Sequence, residues 1–194
     1  VLTETTAAPQ GTRRMRQTLD RLYTAALVLA AAAFAGIAAL VLVQVIGRLI
    51  ARAARAFGAP PPGITVPSLA EIGGMLFLSA VFLGLAGTFV RGGHVRVGLL
   101  TEALPKRIAR PLEVLVLILA AGLCVFATWS SVLQAWDSWA FNAVSFGMVR
   151  VPLWLPQGAM SLGLILLCVA LLDGLVTVLR GATPAYAHKP EGME

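Results

Sequence analysis

The sequence is poor in charge. Asp, Glu, Lys and Arg make up 12% of its 194 residues, about half the share of an ordinary soluble domain. With 58% hydrophobic residues, that shortage excludes a soluble globular domain. Histidine is nearly missing, with His94 and His188 outside every long apolar run. A haem or metal held between helices wants ligands inside the spans, so neither is expected. Cysteine is limited to Cys124 and Cys168, both within apolar runs and without C-x-x-C spacing. That pattern fits small core residues and gives no sign of a disulfide framework or a thiol-redox centre. No G-x-x-x-x-G-K-[ST] loop occurs, which excludes ATP hydrolysis by this chain. Ser130 and Ser131 have no histidine or lysine nearby and read as helix–helix hydrogen bonders. No enzyme, cofactor or metal is expected.

What is present is apolar sequence in four long runs. A bilayer-spanning helix needs about 20 such residues. The expected architecture is therefore all-α, with four transmembrane helices and short amphipathic segments at the interfaces. Residues 1–21 form a basic segment. The domain over 22–180 holds spans at about 22–47, 68–90, 111–136 and 157–179, and 181–194 is a flexible tail. The pair Arg13-Arg14 hints at an export signal. The apolar run behind it continues to Ile46, too long for the short core of a cleaved signal. After the first span, Arg48, Arg52 and Arg55 share one helical face and Leu49, Ala53 and Phe57 another. That segment is expected to lie in the membrane interface. Gly58 and Pro60-Pro61-Pro62-Gly63 then stop the helix. Leu99 to Leu104 suggest a short surface-lying turn before Pro105.

The formal net charge of +6 is not spread over one soluble face, so nucleic acid is a poor partner. It sits beside the spans. Of the 15 Lys and Arg residues, all but Arg48, Arg52, Arg55 and Arg150 fall on the side of the two termini. That bias places both termini in the cytoplasm. All four tryptophans lie between positions 129 and 154, which fits an aromatic belt at the opposite interface.

The chain is organised around Glu71 to Val97. An acid opens the second span, and Arg91-Gly-Gly-His94-Val-Arg96 closes it. Ala80, Gly84 and Thr88 recur every four residues, a strip that admits a close helix neighbour in lipid. Glu71 in the first turn suits the helix dipole. Arg48 closes the first span near the same interface, so a paired charge between Arg48 and Glu71 is expected, with Arg52, Arg55 or another chain as other partners. His94 reads as an interfacial hydrogen-bonding residue. Asp173 lies about two turns from Arg180 and reads as structural, facing a bundle or reaching toward that arginine.

Several of these motifs resemble one family. They are Gln44-Val-Ile-Gly-Arg48, the acid Glu71, Phe82-Leu83-Gly84, the exit Arg91-Gly92-Gly93-His94-Val95-Arg96-Val97, and Pro152-Leu-Trp154-Leu-Pro156 before the last span. Together they resemble the small membrane subunit of the tripartite ATP-independent periplasmic (TRAP) transporters, the DctQ-like family. That family usually has an acid after the last valine of the exit. Here Gly98 stands there, so no role of that acid transfers.

The resemblance implies a small accessory permease subunit in a bacterial inner membrane. Its partners would be a large permease subunit and a periplasmic substrate-binding protein. The complex would take up an organic acid anion, driven by a sodium gradient. The small subunit would brace the large one. The alternative is an autonomous four-helix channel or antiporter. The span interiors argue against it, because a pathway of its own would show ionisable groups at mid-depth. Small multidrug antiporters centre on an acid in the first span, and this first span has none.

Overall fold

The computed structural model describes residues 10–91 and 106–180, with side chains from 16 and from 110 onward. The expectations placed on His94, on the turn before Pro105 and on the 181–194 tail fall outside the described residues. Four helices account for nearly all the described backbone: α1 (Gln10–Ala56), α2 (Leu69–Val90), α3 (Lys106–Ala140) and α4 (Trp154–Leu179). Each is long and apolar enough to cross a membrane. Among the described residues there is no strand, only an isolated antiparallel bridge between Val144 and Pro152. The protein is all-α with four potential spans.

α1 is longer than a span requires. Its 47 residues extend about 70 Å at 1.5 Å per residue, against about 30 Å of hydrocarbon. The segment carrying Arg48, Arg52 and Arg55 does not break away as a separate element. It continues the helix because no glycine or proline interrupts 48–57. The helix ends where Gly58 takes a left-handed φ of 70°. Ala59 N–H then bonds to the Ala54 carbonyl (2.8 Å) and Gly58 N–H to that of Arg55 (3.2 Å). These two bonds satisfy the last carbonyls as a glycine C-cap does.

The helices pack in the order α1–α2–α4–α3. α2 lies against both α1 and α4, and α3 lies against α4. Three clusters fill these seams. Ala30, Ala80 and Leu83 join α1 to α2. Tyr23, Ala86 and Ala170 lock the start of α1 to α2 and α4. Leu117, Ala121 and Cys124 meet Leu164, Leu171 and Val178 between α3 and α4. Small residues set the spacing, since lipid offers no hydrophobic drive between helices and association rests on close packing. At Gly163 an added Cβ would run into the Phe82 carbonyl of α2, so the two backbones nearly touch there.

Candidate functional site

Among the described residues a cluster of hydrogen bonds lies at one end of the helices, where α1 ends, α2 begins and α3 turns into α4. The connection from α1 to α2 is held from the α1 side. Gln44 Oε1 accepts from Val66 N–H at 2.7 Å. One turn on, Gly47 lets the Ile64 carbonyl lie directly against the helix, where any Cβ would collide. Two residues of the Gln44-Val-Ile-Gly-Arg48 motif thus hold the linker that delivers the chain to α2.

α2 starts at an unusual residue. Ser68 sits at the N-cap with φ 54° and ψ 27°, and its side chain makes no cap hydrogen bond. A non-glycine residue in the left-handed region costs of order 1 kcal/mol. The carbonyl of Ser68 accepts from Glu71 N–H (3.0 Å) and Ile72 N–H (2.9 Å). Its hydroxyl accepts from Val149 N–H at 3.2 Å, across 81 positions of sequence. Glu71, in the same first turn, accepts from Gly147 N–H at 3.2 Å. The first turn of α2 therefore grips the loop between α3 and α4.

That loop is shaped to be gripped. Ser145 N–H bonds to the Val151 carbonyl (2.9 Å), and Leu153 N–H to that of Ala143 (3.0 Å). Inside this narrow return the buried Ser145 hydroxyl accepts from Val151 N–H (3.1 Å) and donates to the Val149 carbonyl (3.1 Å). At the bend, Gly147 lies so close that a Cβ would overlap the Glu71 carboxylate and crowd the Ser68 hydroxyl. Only glycine fits.

The sequence-derived candidates fall in several places. Among the described residues no ion pair joins Arg48 to Glu71, and the acid's partner is the Gly147 amide. The Arg48–Glu71 pair is thus not formed within the described chain. The amide is a neutral donor from a distant loop, while Arg48 is exposed on the α1 extension. Ala80 is 1% exposed and packs in the α1–α2 seam. Gly84 faces Ala30, whose Cβ lies 3.9 Å from where its own would be. Thr88 is exposed, and its hydroxyl bonds the Gly84 and Leu85 carbonyls of its own helix (both 3.0 Å). The buried position on that turn is Gly87, against Leu27 of α1. Arg91 caps the end of α2 and reaches the Thr24 hydroxyl of α1 at 3.5 Å. Trp154 opens α4 and is exposed. Asp173 is exposed on α4, so it does not face the interior of this chain.

Sequence reading placed Ser68 at the start of the second span and passed over Ser145, Gly147, Gly163 and Ser161. Ser131 and Ser161 lie 2.6 Å apart across the α3–α4 seam. With the Ser161 proton on the Gln157 carbonyl (2.8 Å), Ser131 is the donor. The arrangement contains interhelical locks and caps. Among the described residues no nucleophile, base and oxyanion donor come together.

Residues 37–181 match the family of tripartite ATP-independent periplasmic transporters, DctQ component. The chain belongs to the DctQ family. The match covers the second half of α1, all of α2, α3 and α4, and the three connections between the helices. The locks at Gln44, Ser68, Glu71 and Gly147 all lie inside it. A DctQ component is a small permease part of a TRAP transporter, and the family is one of transporter components, not of enzymes. With four helices fit to cross a bilayer, the protein is a multi-pass membrane protein. No curated protein matches the chain.

Proposed function

We propose that this DctQ protein braces a large permease subunit and has no solute pathway of its own. The complex takes up an organic acid anion delivered by a periplasmic binding protein and draws on a sodium gradient. The observation that carries this reading is the packing order α1–α2–α4–α3. Among the described residues the main seams are α1–α2, α2–α4 and α4–α3, which leaves α1 and α3 at the two ends. The two end helices turn broad faces of large side chains outward, such as Leu42 on α1 and Leu123 and Phe126 on α3. A second membrane subunit can pack against such faces.

The organic acid anion and the sodium gradient are what the resemblance to TRAP transporters implies, and family membership supports them. The bias of Lys and Arg supports cytoplasmic termini in a bacterial inner membrane. The locked end described above then faces the periplasm, beside the docking site of the binding protein. Reporter fusions after Gly98 and after Asn142 test the orientation. They should report cytoplasm and periplasm respectively, and the reverse pattern would reject it. Affinity purification of a tagged chain co-expressed with its large permease tests the bracing role. A stable complex in mild detergent is expected. Recovery of the tagged chain alone, from membranes that contain both proteins, would overturn the proposal.

A further inference from the structure

The tip of the loop between α3 and α4 has two sides of opposite character. Ser145 is buried and Gly147 lies on Glu71, while Phe146 is wholly exposed and Met148 is 88% exposed. Arg150 follows them, also exposed. Two large apolar side chains on a tight turn are unfavourable in water, and this turn is too well bonded to fold them away. Ser145 closes it from within, and Ser68 and Glu71 hold it from α2.

The position of that grip fixes the depth of the tip. α2 has 22 residues, which rise about 33 Å at 1.5 Å each, close to the roughly 30 Å of a bilayer's hydrocarbon core. Its first turn therefore sits at the hydrocarbon boundary. The tip is bonded to that turn, so it lies at the same level instead of projecting into water. The same end of the structure carries Trp136 and Trp139, with ring centroids 5.2 Å apart, and Trp154, all exposed. Tryptophan at such a level marks the interface between headgroups and acyl chains.

We propose that the 145–151 tip is a lipid-binding wedge. Phe146 and Met148 insert among the acyl chains at the headgroup boundary, and Arg150 meets the phosphates above them. Glu71 and Ser68 act through the loop, holding the wedge at that depth. The contact does not depend on the bracing role, because it is made by the chain alone in any phospholipid bilayer.

Site-directed spin labelling of the full chain tests it. In a Cys124→Ala/Cys168→Ala background, single cysteines replace Phe146, Leu123 (a lipid-facing reference on α3) and Pro62 (an exposed reference in the linker). Each labelled protein is placed in nanodiscs of mixed phosphatidylcholine and phosphatidylglycerol. Relaxation by oxygen, which concentrates in lipid, is compared with relaxation by a water-soluble nickel chelate. The Phe146 label should resemble the Leu123 label, with oxygen dominant. Adding Gly147→Val, which drives a side chain into the Glu71 carboxylate, should shift it toward the Pro62 value. Nickel dominance in the Gly147 parent would show an aqueous loop and overturn the wedge. Protection from both relaxants, in the chain alone or only in the assembled transporter, would show that protein covers the tip and would equally overturn it.

Discussion

The inner helices α2 and α4 meet through small residues, while the outer helices α1 and α3 turn large ones away from the chain. Ala80, Ala86, Gly163 and Ala170 are all buried on the inner pair. Val28, Leu42, Leu123, Phe126 and Trp129 are all exposed on the outer pair. Every one of the four helices is strongly apolar, so hydrophobicity does not separate the two classes. Side-chain size separates buried from exposed positions instead: Ala26, Ala30 and Ala121 of the outer pair are buried, and Phe77, Leu155 and Leu172 of the inner pair are exposed. In lipid a large apolar residue loses little by facing acyl chains, whereas a small one lets two backbones approach and gain dispersion contacts.

The sharpest way to break this comparison is to give an inner seam the bulk of an outer face. Gly163→Leu pushes a side chain into the Phe82 backbone, and overpacking of this kind costs about 1–3 kcal/mol. Gly122→Leu on α3 puts its Cβ where nothing lies within 4 Å and should leave stability unchanged or raise it by up to about 1 kcal/mol, since glycine is the poorer helix former. Thermal unfolding in detergent should separate the two variants clearly. Equal midpoints would show that the α2–α4 seam is not close-packed. Gly84→Leu tests a looser seam. The 3.9 Å between its virtual Cβ and that of Ala30 has room for one methyl group. The alanine variant should be near neutral and the leucine variant should lose about 1 kcal/mol, the low end for overpacking. If both are neutral, α1 is held elsewhere, at Tyr23 and the Gln44 contact.

Smaller effects sharpen the polar side of the comparison. Ser131→Ala removes the α3–α4 hydroxyl pair, and interhelical hydrogen bonds in membranes average about 0.6 kcal/mol. A loss well above that in steric-trapping unfolding would mean that Ser131 organises more than Ser161. The smallest effect belongs to the outer faces. Leu123→Ala should leave the stability of the isolated chain within about 0.5 kcal/mol of the parent. A larger loss would show that α3 is packed on that side by its own chain.

Much of this organisation was legible in the residues. Four long apolar runs gave the helices, and Gly58 with the prolines behind it marked where α1 stops. The continuation of α1 through Arg48, Arg52 and Arg55 was harder to read, because charge marks where a membrane ends and not where a helix does. The packing order was hidden for a related reason. Helices that are apolar all round lose the periodicity that tells an inner face from an outer one. A signal did exist in α4, where Ala159 and Gly163 stand four apart, as do Ala170 and Gly174. Glu71 stood out as an acid at a span start, but its partner could not be found by residue type. A backbone amide 76 positions away has no signature, and the search for a charge led to Arg48 instead. Gly147 looked like any loop glycine until the carboxylate beside it was placed.

The bracing account rests on the packing of the described helices, with α1 and α3 at the two ends. Flux through reconstituted liposomes tests this most directly. The purified chain alone should move no organic acid anion, with or without a sodium gradient. Uptake should appear when the large permease subunit, the binding protein and the sodium gradient are all supplied. Sodium-independent transport of the anion by this chain alone would contradict the account.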